Sequence, residues 1–323
     1  MSTTRRWRAQ VVAAITSALA TLVFAPHALA TYPGHNGLIA FAGLTGDHMQ
    51  IYTIRSNGHD MRQLTYADAD ATFPDWSPDG RRIVFEIDYA DHCSVAIMNA
   101  GGGDLVQLTG QPNVCDGAPS FTPDGRRIVF ARFDGNTNFE ALWSMDTTGG
   151  NQHVITTAGN QNPAVSPDGT QLSFIRETDM GTSLWLANID GGAVRELLSP
   201  DFALAVKHDW APDGQHLLIG PHGLGPDPNH PANIATIRPD GSDLHYLTHN
   251  TDPAVHVLPG TYSPNGKYIV FRLEEDRGDS AALMEMRSDG SHVKQIRGGF
   301  TTSGFKPRFI DWGPSARSEN HKS

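Results

Sequence analysis

The sequence predicts an all-β fold built from repeated four-stranded antiparallel units. Three observations predict it. A Ser/Thr-Pro-Asp-Gly stretch followed by an apolar run recurs at near-constant spacing. An alternating strand with a Gly-bearing turn follows each copy. Strong helical periodicity is absent after residue 30. Units of about 40–50 residues repeated in this way are the blades of a β-propeller. Counting strands by type gives six four-stranded blades, closed by pairing of N- and C-terminal strands.

The first element stands outside that fold. Arg5, Arg6 and Arg8 form a basic head, Val11 to Phe24 is mostly apolar, and Ala28-Leu29-Ala30 is a small-residue cleavage pattern. Residues 1–30 therefore read as an export signal. Thr4-Arg5-Arg6 is too short a pattern to separate one export route from another. No later stretch is long and apolar enough to span a bilayer as a helix. Removing the three arginines takes Lys+Arg from 24 to 21 against 35 Asp+Glu, a formal charge of −14. Such a chain lacks the basic footprint that nucleic acid or anionic lipid requires.

The hairpin comes next. It reads FPDWSPDGRRIVF from Phe73, APSFTPDGRRIVF from Ala118, NPAVSPDGTQLSF from Asn162, KHDWAPDGQHLLI from Lys207 and PGTYSPNGKYIVF from Pro259, with a truncated DWGP at Asp311. The prolines at 78, 123, 167, 212, 264 and 314 are 45, 44, 45, 52 and 50 residues apart. Proline presets the first corner of a type I turn, Asp or Asn suits the second, and Gly accepts the left-handed conformation that rejoins the strand. The apolar, β-branched run behind it suits a strand buried on both faces.

The outer half of each unit follows. QIYTIRSNGHDMRQLT, SVAIMNAGGGDLVQLT and four similar segments each read as a strand, a glycine turn and a short outer strand. The first inner-type hairpin is missing before Gly37–Phe41. PRFIDWGP, from Pro307 to Pro314, supplies the unmatched innermost strand at the other end, so one blade is shared between the termini and no sheet edge is left open. The propeller is expected over residues 31–316, with a polar tail at 317–323.

The S/T-P-D-G-x-x-[IL]-x-F repeat is similar to the WD-like repeats of TolB-type six-bladed propellers, over roughly Asn36 to Pro314. The resemblance implies the propeller scaffold and not a task. Neither the extra domain of the Tol-system protein nor the α/β-hydrolase domain of prolyl-oligopeptidase-type enzymes is expected here. In such a propeller the Pro-Asp-Gly and glycine turns lie at one end, the bottom. The longer, variable connections lie at the top, where function usually resides.

That arrangement brings Cys93, in YADHCSV, and Cys115, in QPNVCDGAP, to one sector of the top. With export, a disulfide is expected, two separate thiols being the alternative. The two longest top loops are Gly220 to Asn233 and His249 to Gly260. They gather His222, His230, His249 and His256, with His208 and Lys207 on the inner strand of that blade and Asp227 and Asp252 nearby. Imidazoles suit a transition metal, and imidazole with carboxylate suits proton transfer. Ordinary polar loops are the competing explanation, since no tight ligand spacing occurs. His208 takes the slot that Pro74, Pro119 and Pro163 take in other copies, so it either faces the channel or ends a strand. Gly278-Asp279-Ser280 has the composition of a hydrolase motif but sits in a hairpin loop rather than a strand-to-helix elbow. Lys306 and Arg308 precede the closing strand and are candidates for holding an acidic ligand at the channel mouth.

The function expected is a non-enzymatic binding module, exported to the periplasm or beyond the cell. Its binding residues are expected among His208, Lys207, His222, His230, His256, Lys306 and Arg308. Its partners would be a protein, peptide or glycan at the top face, and the chain itself a monomer. No cofactor is expected unless His208, His222 and His230 hold a divalent metal. The alternative is a propeller lyase or hydrolase acting on polysaccharide through channel histidines and a metal, as in oligogalacturonate lyases, which are built on related repeats. A purely structural envelope component is the third reading.

Overall fold

The computed structural model describes residues 34–157, 161–179, 181–202, 204–205, 207–221 and 231–316. The export signal, the C-terminal tail, His222, Asp227 and His230 lie outside the described residues.

The described chain is all strand and turn apart from two single 3-10 turns, at Pro200–Phe202 and Asp276–Gly278. The first strands are β1 (Asn36–Thr45), β2 (His48–Ile54) and β3 (Arg62–Gln63). Next come β4 (Asp70–Trp76), β5 (Arg82–Asp88), β6 (Cys93–Asn99) and β7 (Val106–Gln107). They are followed by β8 (Val114–Phe121), β9 (Arg127–Asp134), β10 (Phe139–Asp146) and β11 (His153–Thr156). Then come β12 (Gln161–Val165), β13 (Gln171–Thr178), β14 (Gly181–Asn188) and β15 (Arg195–Leu198). The shortest strands are β16 (Asp209–Trp210), β17 (Leu217–Ile219), β18 (Ala235–Ile237) and β19 (His245–Tyr246). The last are β20 (Val255–Tyr262), β21 (Tyr268–Glu275), β22 (Ser280–Arg287), β23 (Lys294–Phe300) and β24 (Arg308–Pro314).

Each group pairs as an antiparallel meander, and β24 pairs with β1 in the order β24-β1-β2-β3. Its register sets Ile39 opposite Trp312 and Ala40 opposite Asp311. The β4–β7 and β8–β11 groups merge into one eight-stranded sheet through a single parallel bridge, Cys93 to Cys115. The same two residues form the expected disulfide. It closes a loop across a separation of 22 residues. Constraining such a loop in the unfolded chain is worth about 3 kcal/mol.

The β4–β5 hairpin shows why its sequence recurs. The Gly80 N–H donates to the Ser77 carbonyl at 2.9 Å, which puts Pro78 and Asp79 at the corners of the turn. Gly80 is left-handed, with φ +67°. Ser77 donates its hydroxyl to Asp79 at 2.6 Å, and the same Asp79 oxygen accepts the Arg81 N–H at 3.1 Å. The run behind the turn is buried on both faces. Ile83 and Phe85 pack towards β1 and β2, whereas Val84 packs towards Phe121, Ile128 and Phe130 of the next group. Each hydrophobic cluster lies between two neighbouring groups, so the core is a series of layers between sheets. This is the all-β propeller arrangement. β17 and β18 are the short pair whose connection is bracketed by Pro221 and Pro231, residues that offer no N–H to a ladder.

Candidate functional site

Of the strands β4, β8, β12, β16, β20 and β24, all but β20 contribute residues to one central cavity. Five of the six carry a register shift two to five residues before the turn, at Thr72/Asp75, Gly117/Ser120, Gln161/Ala164, Pro259/Thr261 and opposite Ala40/Ala42. At four of these bulges a non-glycine residue is left-handed: Phe73 (φ 49°), Ala118 (φ 46°), Asn162 (φ 47°) and Phe309 (φ 50°). Left-handed phenylalanine is uncommon, and such strain persists only where the surroundings fix it. A bulge re-aims side chains, and here the bulged residues line the central cavity. Phe73 and Phe309 stack there with ring centroids 3.8 Å apart.

Two residues beyond these bulges lies a slot occupied by Asp75, Ser120, Ala164, Thr261 and Asp311, and Asp209 takes the matching place in β16. The three aspartates tie neighbouring inner strands together. Asp311 accepts the Trp76 N–H at 2.9 Å, and Asp75 accepts the Phe121 N–H at 2.8 Å. Asp209 accepts the Tyr262 N–H at 3.1 Å and the Thr261 hydroxyl at 2.5 Å. All three line the central cavity. Burial, reinforced by the neighbouring charge of Asp311, raises the Asp75 carboxyl well above its ordinary range. Burial also lifts Asp311 to about 6, against the opposing pull of Lys207. Asp75 and Asp311 therefore do not both ionise freely at neutral pH, and Lys207 offsets part of their charge.

His208 lines the same cavity and is 4 % exposed. Its Nε2 lies 2.9 Å from the Ser173 hydroxyl of the preceding sheet, so it joins two sheets at the channel wall. His256 lies at the start of β20 outside the lining of that cavity, with Nε2 2.9 Å from Asp276. His249 is exposed. Asp252 is held by a two-pronged contact from Arg277, both distances 3.0 Å. Among the described residues one group of His, Cys, Asp or Glu converges to metal-ligand distance: Glu86, Cys93 and Cys115. Its cysteines are consumed in the disulfide and offer no thiolate. Asp279, in the β21–β22 loop, is left-handed and accepts hydrogen bonds from Thr302 and Ser303, which hold its carboxyl down at about 2. It is a loop anchor rather than a nucleophile's neighbour.

Lys306 and Arg308 do come together. They line a second cavity of about 360 Å³ with Lys207, Arg272 and the apolar Leu258, Pro259, Phe309 and Ile310. Lys207 and Phe309 line both cavities, so this one opens beside the channel. Lys306 Nζ lies 3.0 Å from Glu274, whose other oxygen is 2.5 Å from Arg272 Nε. Arg272 also donates to the Pro307 carbonyl at 2.8 Å. Burial, against the opposing charge of Glu274 and with the charge of Arg308, lowers the Arg272 guanidinium to about 10.

Two sets of site residues lay unread in the sequence. The aspartates fall inside the hairpin copies, where the turn chemistry draws attention two residues downstream; the Asp-Trp pairs at 75, 209 and 311 were the available signal. Arg272 sits in an apolar strand run with no pattern to single it out.

Solved structures with the same architecture include TolB from Acinetobacter baumannii, 18% identical with a TM-score of 0.69 over 86% of this chain and 67% of that one. A TolB-like protein from Agrobacterium tumefaciens is 18% identical with a TM-score of 0.64, covering 87% of this chain and 99% of that one. An oligogalacturonate lyase in complex with manganese is 14% identical with a TM-score of 0.54, over 83% and 74% of the two chains. At these identities the likeness is one of fold alone. No curated protein matches the sequence. The sequence profile of the TolB beta propeller domain matches residues 16–213, more than half of the chain, and the chain therefore belongs to that family.

Proposed function

We propose that this chain is an exported binding module: a closed ring of six four-stranded blades that holds a protein, peptide or glycan at its top face and channel mouth. The ring is supported by the β1–β24 pairing and by a packed layer between each pair of neighbouring groups. Export is supported by the cleavable leader pattern and by the disulfide, which persists in oxidising compartments. No helix among the described residues is long and apolar enough to cross a membrane. The observation that carries the reading is the set of strained, bulged residues presented to the channel. Two of these four positions carry phenylalanine rings and one an asparagine amide, where a merely structural ring needs small apolar side chains.

The test is retention of a partner from envelope extract, or of a glycan on an array, by the protein lacking residues 1–30. Phe73→Asn is the matched control, because Asn162 already occupies the same left-handed slot in another copy. Retention by the wild-type protein and its loss in Phe73→Asn supports the module. No partner and no glycan favours the purely structural role. Stoichiometric Mn or Zn, lost on His208→Ala, would instead favour the polysaccharide enzyme.

A further inference from the structure

The cavity beside the channel mouth has an electrostatic imbalance that its own side chains do not resolve. Four cations border it, Lys207, Arg272, Lys306 and Arg308, in a chain whose formal net charge is −11. The one carboxylate in contact, Glu274, is shared between Arg272 and Lys306. Those three side chains are each under a fifth exposed, at 16%, 12% and 8% for Arg272, Lys306 and Glu274. Lys207 lies in the field of Asp75 and Asp311 on the channel side but makes no ion pair within 4 Å among the described residues. Arg308 is exposed and likewise has no carboxylate within that distance among them. Arg272 and Arg308 are close enough to repel. A fold keeps like charges together at such a cost when something of opposite sign occupies the space between them.

The remaining wall is apolar: Leu258, Pro259, Phe309 and Ile310. A bare inorganic ion would leave that surface wet. A guanidinium fork beside an ammonium recognises the planar or tetrahedral oxygens of a carboxylate or phosphate. We propose that this cavity is a binding site for an organic anion, a carboxylate or phosphate group carried on an apolar body, with Arg308 and Lys207 taking the charge and Phe309 and Leu258 the body. Arg272 and Lys306, held by Glu274, position the wall and add to its field. The proposal rests on the reading of the top face as a binding face.

Titration calorimetry of the protein lacking residues 1–30 tests it with four probes. These are 4-phenylbutyrate, phenyl phosphate, 4-phenylbutylamine and acetate. One or both aromatic anions are expected to bind at one site per chain, more weakly as salt rises, and which one binds better identifies the anionic group. The amine, with the same body and opposite charge, and acetate, with charge and no body, are expected to bind at least tenfold more weakly. Arg308→Gln, an exposed position whose loss leaves the core intact, is expected to weaken the anion about tenfold or more, the worth of one charge-assisted hydrogen bond. Equal binding of amine and anion overturns the site. So does affinity unchanged in Arg308→Gln. A protein that captures a partner yet binds neither aromatic anion overturns the anion site and leaves the binding module standing.

Discussion

Asp116 and Arg132 show what a single buried pair contributes to this fold. The Asp116 side chain is fully buried and that of Arg132 is 10% exposed. The guanidinium meets both carboxylate oxygens, at 2.5 and 2.8 Å, and lies over the Trp143 ring at 4.5 Å. The pair does not make the fold stable by its Coulomb energy alone, because desolvating both charges offsets most of that gain. Breaking it is different. Asp116→Ala leaves a guanidinium buried among aromatic rings with no counter-charge, and should cost about 3–5 kcal/mol. The double variant Asp116→Leu with Arg132→Met should recover most of that loss. Urea unfolding of the three proteins measures both quantities. A single variant as stable as the wild type would show that water already reaches the pair. Neither residue stands out in the sequence, since Asp116 sits beside Cys115 in a polar loop pattern and its burial follows only from how β8 packs against its neighbours.

At the scale of elements, the repeated hairpins are alike in sequence and unequal in surroundings. Gly80 and Gly169 are both left-handed, at φ +67° and +73°. A side chain at Gly169 would meet the Pro123 ring at an ordinary 3.9 Å. At Gly80 it would meet the Pro314 carbonyl at 2.3 Å, a backbone atom of β24 that cannot swing aside. Gly169→Ala should therefore cost about 1 kcal/mol, the backbone penalty alone. Gly80→Ala should cost clearly more, about 2–4 kcal/mol, because it also pushes β24 from its place. Equal losses in thermal unfolding would mean that Pro314 is not seated against this hairpin. The strand order, the turn chemistry and the shared terminal sheet were legible in the sequence, because each is a local pattern repeated. The disulfide was legible once the repeat placed both cysteines in one sector. The site was only partly so. Lys306 and Arg308 are two residues apart and could be seen together, but Lys207 and Arg272 join them only because distant parts of the chain fold around one cavity. For the histidines the same dependence works the other way. His208 and His256 share a sector in sequence, yet one is bonded into the channel wall and the other to Asp276, outside the cavity lining.

For the whole molecule, buried carboxylates impose a pH dependence opposite to that of an ordinary acidic protein. Glu86 accepts the Ala118 N–H at 2.9 Å, and burial nonetheless raises its carboxyl from 4.5 to about 7, aided by Asp88 and Asp116. Asp311 is raised to about 6 and Asp75 is also raised, again with burial as the first cause. In each case the folded state binds its proton more tightly than the unfolded chain does. Between pH ~4.5 and ~7 the folded protein thus holds protons that the unfolded chain has released, and stability falls as pH rises through that window. For Glu86 alone the full effect is bounded at about 3 kcal/mol. Below pH 4 the sign reverses. The hairpin aspartates Asp79 and Asp168, held low by the turn hydroxyls and N–H groups, must then take up protons and give up those bonds. The midpoint of urea unfolding should therefore climb as the pH drops from 8 to 5 and fall again below 4. Glu86→Gln keeps an acceptor for the Ala118 N–H and removes the charge, so it should raise stability at pH 8 and flatten the limb between 5 and 8. A wild-type midpoint that is level or rising with pH across that range would mean that water reaches Glu86, Asp75 and Asp311 and lets them ionise without penalty. The strain at Phe73 and Phe309 would then be shaping an open, hydrated passage rather than a dry one.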